Sequence, residues 1–489
     1  MWPPAPKQRE TAIDDPTMSA TNTFDFIIVG AGSAGCVLAN HLSADRRFTV
    51  LLVEAGKMSH PLTPVPISFS RLIDNPKVNW CYGSEPEPVM AQRSIPVPRG
   101  RMLGGSSAIN GLVYVRGQPL DYNNWAKLGN RGWSFDDVLP IFQRMENYGP
   151  GADEWRRQGG PLHVSEVADQ NPLYDALIAA GEEIGLPNNP DYNGADQTGL
   201  CKSVEVILCC GSINSPQLLE LSGIGQPALL KSQGIEVCHS LPGVGESLRD
   251  HIAPRMGWTI SKRGVSFNDR ARGLGLLWQI ARYAIKRDGF LSLPSAPLVA
   301  FIKTHADLVS PDAQLHLVPY TFSPTTRRLL DEPGMTITVY QLRPESLGSI
   351  HIKSADPHEA PAIRFNFLSN PLDRQTLVDA VRFTRRLMQA PAMDQFRGIE
   401  FKPGPDVRSD DEIIEWIGKT AETAYHPIGT CRMGDDENAV VNDQLQVHGI
   451  EGLRVADGSI MPTLVSGNTN AACIMIGEKA ADMILSEQR

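Results

Sequence analysis

The sequence predicts an α/β protein: a Rossmann-like dinucleotide-binding domain joined to an α+β domain built on an antiparallel sheet. Three observations carry this expectation. A glycine-rich strand–turn–helix lies near the amino end, with a second strand behind it. The chain has 489 residues, too many for one ordinary core, so two domains are expected. Two later stretches, "QLRPESLGSIHIKSADP" and "PAIRFNFL" (residues 341–368), alternate as antiparallel strands do.

The amino-terminal element is "FDFIIVGAGSAGCVLANHLSADRRFTVLLVEAG", beginning at Phe24. "FIIVG" is an apolar strand. Gly30, Gly32 and Gly35, with Ala31 and Ser33 between them, then form G-x-G-x-x-G, and Val37, Leu38 and Leu42 give the following helix an apolar face. Gly30 allows the tight turn, Gly32 lets the backbone approach a pyrophosphate, and Gly35 lets helix and strand pack closely. The free N–H groups of the helix start suit an anion. Glu54, followed by Ala55, closes the second strand, where a carboxylate accepts from a ribose hydroxyl and repels the 2′-phosphate of NADP. NAD and FAD both fit this motif.

Composition excludes several classes. Apolar content of 42% and charged content of 20% are those of a soluble globular protein. A net charge of −10 leaves no basic stripe for nucleic acid. Eight cysteines without metal-ligand spacing, two of them adjacent at Cys209 and Cys210, read as reduced thiols of a cytoplasmic protein. Residues 1–22 are Pro-rich and charged and read as a disordered extension without a secretory core, and Met18 offers an alternative start. No stretch is long and apolar enough to span a membrane. The amphipathic segment from Gly273 to Phe301 is expected to pack on the core. A lid, or a patch held at the inner membrane surface, is the alternative reading.

A second motif, "PRGRMLGGSSAINGLVYVRGQPLDYNNWA" (Pro98–Ala126), pairs glycines and serines in one loop, which can wrap backbone N–H groups around an anion or a flat polar ring. It resembles the first signature of the glucose–methanol–choline (GMC) oxidoreductases. Gly100, Arg101, Gly104, Gly105, Ser106, Ser107, Asn110, Tyr114 and Gly117 fall in pattern. The stretch "GLCKSVEVILCCGSINSPQ" (Gly199–Gln217) and the residues after it resemble the second signature, through Gly211, Ser212, Ser215, Pro216, Leu218 and Gly223. The resemblance implies an FAD enzyme acting on alcohols. It places Arg101, Leu103, Gly104, Gly105, Ser106, Asn110, Gly111, Leu112 and Val113 along the flavin. Some relatives attach the flavin through a His in this loop. That position is Ile109 here, so FAD is expected to bind non-covalently.

At the carboxyl end, "YHPIGTCRMG" supplies His426, and "GLRVADGSIMPTLVSGNTNAACIMIGEKAADMI" reads as a strand ending at Asp457, a loop, and a helix from about Asn468. Alcohol oxidation on a flavin needs a base for the hydroxyl proton, and a neutral imidazole suits it. By motif position His426 matches the family's base and Asn468 its partner, which orients the substrate oxygen. The helix start, with Asn468 or Asn470 as cap and Thr469 between them, is expected to face the negative charge of the reduced flavin. Asp457 and Gly458 are expected near the ribityl or pyrophosphate, although relatives usually carry Ala at the glycine. His251 and His316 read as structural.

The family weaves its domains from alternating segments. Residues 23–150, 203–258 and 422–489 are expected to form the FAD domain, with 151–202 and 259–421 forming the substrate domain. A helix from Asn370 as cap and Pro371 at the first position is expected over the substrate sheet, and Ser215 and Pro216 are expected to start a helix in the same way. "DYNGADQTGLCKS" (191–203) reads as loop, and the chain departs from the family after "GADQTG" (194–199) within it. Relatives carry a helix, a strand touching adenine and a β meander there, whereas Leu200–Val204 stand in their place here. A shortened sheet with an exposed edge and an opened adenine pocket is expected. The expected activity is oxidation of a primary alcohol (choline-like, aliphatic or aromatic) to the aldehyde, with hydride passing to flavin N5 and electrons to a quinone, a dye or a respiratory chain. An O₂-using oxidase, a hydroxynitrile lyase and a flavoprotein disabled by the gap are the alternatives.

Overall fold

The computed structural model describes residues 23–167, 169, 171–202, 204–205, 211–286, 288–323 and 328–488. The expected extension 1–22 and residues 206–210, with Cys209 and Cys210, lie outside them.

Strands β1 (Phe26–Val29) and β2 (Val50–Val53) pair in parallel, with Phe26 opposite Val50, and helix α1 (Ser33–Ala44) crosses between them. Gly35 is sterically required, because a Cβ there would lie 2.0 Å from the Gly30 carbonyl oxygen. Among the described residues this parallel sheet has two strands. Ile27 and Val29 remain 62% and 63% exposed. A parallel sheet normally covers both faces, so the uncovered β1 is what the shortened segment after Gly199 leads one to expect.

The larger sheet comprises β3 (Gly199–Lys202), β4 (Arg255–Ile260), β5 (Leu298–Ile302), β6 (Ala313–Val318), β7 (Gly334–Gln341) and β8 (Arg397–Lys402). It is antiparallel throughout, in the order β8-β4-β7-β6-β5-β3. Gly199–Lys202, read as loop from the sequence, is thus an edge strand. Leu200 is fully buried opposite Ala300, because β5 needs a partner on that side. The next residues, Val204–Glu205, pair with the strand Leu162–Glu166.

Four local expectations meet different outcomes. Helix α2 (Asn214–Leu221) starts before Pro216, so Ser215 lies inside it and its hydroxyl donates to Asp457 Oδ2 (2.5 Å) instead of capping. The segment Gly273–Phe301 packs on the core at its end, where Leu293 and Leu298–Phe301 are buried, but its helix α3 (Gly273–Lys286) buries only Gln279, with Leu276 partly buried against Val167, Phe267 and Leu293. Helix α4 (Pro371–Gln389) starts as expected, with Asn370 Oδ1 accepting from the Leu372 N–H (2.8 Å), and packs Leu377 and Val381 in one core with Leu315 and Ile337. The stretches at 341–368 supply the short pair Ser349–His351 and Ala362–Arg364, separate from the large sheet.

Near the carboxyl end no strand precedes Asp457. That stretch makes a single bridge, Gln446 with Arg454, and Asp457 Oδ1 caps a short 3-10 turn at Gly458–Ile460. Helix α5 (Asn470–Glu487) has Thr469 at its cap position, without a side-chain cap bond from either asparagine. It lies tightly on α1, where a Cβ on Gly477 would approach Ala34 Cα to 2.6 Å. This contact joins the two ends of the chain beneath the site.

Candidate active site

A cavity of about 870 Å³ separates two walls. One wall is the loop Ser106–Val113 together with Gly458 and the start of α5 at Asn468–Asn470. The other is the face of the large sheet, with Arg255 from β4, His316 from β6 and Tyr340 from β7. His426 sits between them, 9% exposed.

A chain of hydrogen bonds fixes the state of His426. His251 Nε2 lies 3.0 Å from the Leu342 carbonyl oxygen, which only accepts, so Nε2 carries a proton. Burial pushes His251 down to about 4, so it is neutral and its Nδ1 is a bare acceptor. His426 Nδ1, 3.0 Å away, must then donate. Burial first, and the neighbouring His251 next, hold His426 well below the ordinary histidine range, so it too is neutral. Its Nε2 is therefore unprotonated, and it accepts from Asn468 Nδ2 at 3.1 Å. Asp250 anchors both residues, accepting the backbone N–H of His251 (2.7 Å) and of His426 (2.9 Å). Asn468 Oδ1 is buried without a partner among the described residues.

The structure thus brings together His426, Asn468, Ser106, Asn110, Gly111, Leu112, Val113, Gly458, Thr469 and Asn470 on one cavity. The other predicted cofactor residues, Gly30, Ala31, Gly32, Ser33, Gly35, Glu54, Ala55, Arg101, Leu103, Gly104, Gly105 and Asp457, do not line it. Most of them form an adjoining cluster at the start of α1. Glu54 Oε2 accepts from the Ala31 N–H (3.0 Å), and Oε1 accepts from the Gly56 N–H (2.9 Å). The Gly104 N–H donates to the Ala31 carbonyl (2.8 Å). Ser33 Oγ donates to Asn470 Oδ1 (3.1 Å) and so joins the two clusters. Arg101 turns away, its guanidinium 5.3 Å from the Trp80 ring. Ile109 offers no nucleophile to a flavin.

Sequence reasoning missed two residues. His251, read as structural, is the direct partner of His426. His316 lines the cavity and accepts from the Tyr340 hydroxyl (2.8 Å), and burial followed by His251 and Arg255 pushes it down to about 3. No sequence signal links His251 to His426, which lie 175 residues apart.

The sequence profile of the GMC oxidoreductase family matches residues 24–205 and 201–253 with its amino-terminal part, and 344–477 with its carboxyl-terminal part. The chain belongs to the GMC oxidoreductase family. It is an FAD-dependent oxidoreductase acting on CH–OH groups. It is 38% identical to an oxygen-dependent choline dehydrogenase of Photobacterium profundum, over 95% of this chain and 93% of that one. It is 37% identical to an alcohol dehydrogenase [acceptor] of Pseudomonas putida, over 94% and 96%. Pyridoxine 4-oxidase from Mesorbium loti superposes with a TM-score of 0.85 at 26% identity, covering 95% of this chain and 99% of that one. The first alignment runs over 532 positions, more than the 489 residues present, so it opens gaps in this chain. The two amino-terminal profile matches meet at 201–205, which locates the shortened stretch.

The residues present fit a flavin ring. The orphaned Asn468 Oδ1 awaits a donor, and the first N–H groups of α5, which have no intrahelical acceptor, open onto the same cavity.

Proposed function

We propose that this member of the family oxidises a neutral, apolar primary alcohol, aliphatic or aromatic, to its aldehyde, with His426 as the base. The observation that carries the reading is the unprotonated Nε2 of His426, which faces the cavity and accepts from the Asn468 amide that the substrate hydroxyl would displace. The substrate hydroxyl approaches Nε2 and gives it its proton. The imidazolium that forms keeps its Nδ1–H on His251, so the ring does not turn as its charge changes. Asn468 holds the substrate oxygen through its amide and so aims the carbinol carbon. Bound FAD supplies the hydride acceptor. The start of α5, with Thr469 and Asn470, places positive dipole ends where negative charge accumulates.

Charge around the cavity selects the substrate class. No Asp or Glu among the described residues lines it, whereas Arg71, Arg99, Arg255, Arg272 and Arg328 do. An aromatic ring could receive a trimethylammonium group, but the Arg255 guanidinium already lies 6.0 Å from the Phe322 ring. Arg255 and Arg272 are paired with Glu422 and Asp331 behind the lining, so a choline cation would meet guanidiniums at the cavity surface and no lining carboxylate among the described residues. Dye-coupled turnover of benzyl alcohol, a medium-chain alkanol and choline tests this. We expect kcat/KM for choline at least about a hundredfold below the other two. Equal or higher turnover of choline would overturn the substrate assignment while leaving the alcohol chemistry intact.

A further inference from the structure

Helix α3 is inverted. Its buried residue is the polar Gln279, while Leu274, Leu277, Trp278 and Ile285 are 84%, 61%, 65% and 81% exposed. A soluble helix normally turns such residues inward. Leu276, packed against Val167, Phe267 and Leu293, and a few polar contacts hold α3 on the body. The Tyr283 hydroxyl donates to the Pro64 carbonyl (2.9 Å), and Gln279 lies against Gly289. The helix also rims the active-site cavity, which Leu276 and Ile280 line from it and Arg272 from the residue just before it.

The charge around this face runs against that of the chain. No acid lies between Arg270 and Lys286, in a protein of net charge −10. Arg282 and Lys286 come from the helix, Arg272 from the residue before it, and Arg71 and Arg328 from the cavity rim. Asp331 and Asp288 pair with Arg272 and Arg282, which leaves the surroundings in basic excess.

We propose that α3 seats this protein on an anionic lipid bilayer, with its apolar face in the headgroup boundary and the mouth of the cavity turned toward the membrane. An exposed Leu/Trp/Ile face flanked by Arg and Lys is the pattern of a helix lying in the interface plane. A second copy of the chain fits less well. A 14-residue helix gives a strip about 21 Å long and about 10 Å wide, far below the roughly 800 Å² per partner of a stable interface. The placement stands independently of the substrate reading above.

The test is sedimentation of the full chain with phosphatidylcholine vesicles, with or without about one-third phosphatidylglycerol. Wild type is expected to co-sediment with the anionic vesicles and to release as salt rises. Leu277→Glu with Trp278→Glu is expected to lower the bound fraction about tenfold or more, with unchanged circular dichroism and unchanged oxidation of a water-soluble alcohol. Lys286→Glu, which leaves the apolar face intact, is expected to weaken binding to anionic vesicles. Wild type left in the supernatant, a double variant that binds like wild type, or a wild-type dimer that the double variant converts to monomer in light scattering would each overturn the proposal.

Discussion

His426 can act as a base only while it is neutral, and burial together with His251 holds it neutral well below the ordinary histidine range. A base with a lowered pKa stays active as pH falls through 6.5 and is lost only below that. The acid limb of kcat/KM for an apolar alcohol is therefore expected below pH 6.5, where a free imidazole would already be about half protonated. A limb at 6.5 or above would show that His426 is not held as described. His251 acts through His426 rather than on substrate. His251→Phe removes the acceptor for Nδ1–H and frees the ring to turn. We expect flavin reduction to slow by about tenfold or more, with the acid limb displaced and KM changed less than kcat. A slower rate with an unmoved limb would make His251 a packing residue. The sequence revealed His426 and Asn468 because each lies in a recognisable local motif. It hid His251 because a hydrogen bond across 175 residues leaves no local pattern.

Elements with a strong local code were legible. Asn370 and Pro371 announced α4, and Gly30, Gly32 and Gly35 announced the turn into α1. Elements decided by tertiary partners were not. Gly199–Lys202 became a strand because β5 needed an edge, and α3 shows its apolar face to solvent because Leu276 and a few polar contacts hold the other side. One tertiary tie gives a stability signature. His351, in the short ribbon, pairs with Glu220 of α2 (2.7 Å) and with Glu246 (3.1 Å). Burial would lower its pKa, but the two carboxylates outweigh that and raise it to about 9. A pKa raised above its unfolded value contributes stability that is complete below about pH 6.5 and lost as pH rises toward 9. The shift amounts to roughly 3 kcal/mol before solvent screening of the half-exposed Glu246 is allowed for. Tm is expected to fall between pH 6.5 and 9.5 in the wild type and to fall less in His351→Gln. Parallel slopes for the two proteins would refute the tie.

At the scale of the whole molecule, the chain keeps the residues proposed to hold the ring end of FAD and shortens the stretch after Gly199. The cavity wall, the start of α5 and the His426–His251 pair are in place. The parallel sheet beyond them is a two-stranded pair among the described residues, and both oxygens of Glu54 are taken by backbone N–H groups. FAD is thus expected to stabilise the protein yet exchange readily. Excess FAD should raise Tm by a few degrees, as a ligand in about hundredfold excess over its Kd does, and gel filtration should remove part of it. The family and its cofactor were legible from the two signatures. The missing stretch and the shortened sheet it implies were legible too, but which side chains of β1 lie uncovered, Ile27 and Val29, was not, because that depends on the three-dimensional packing around the strand.

The most direct test of the account is anaerobic stopped-flow mixing of the FAD-loaded protein with benzyl alcohol, for wild type and His426→Ala. The account predicts that the wild type bleaches its flavin bands in a single turnover. His426→Ala should retain flavin but bleach at least about a hundredfold more slowly, as loss of a general base requires. Bleaching of His426→Ala at the wild-type rate, or wild-type flavin that stays oxidised with every primary alcohol tried, would contradict it.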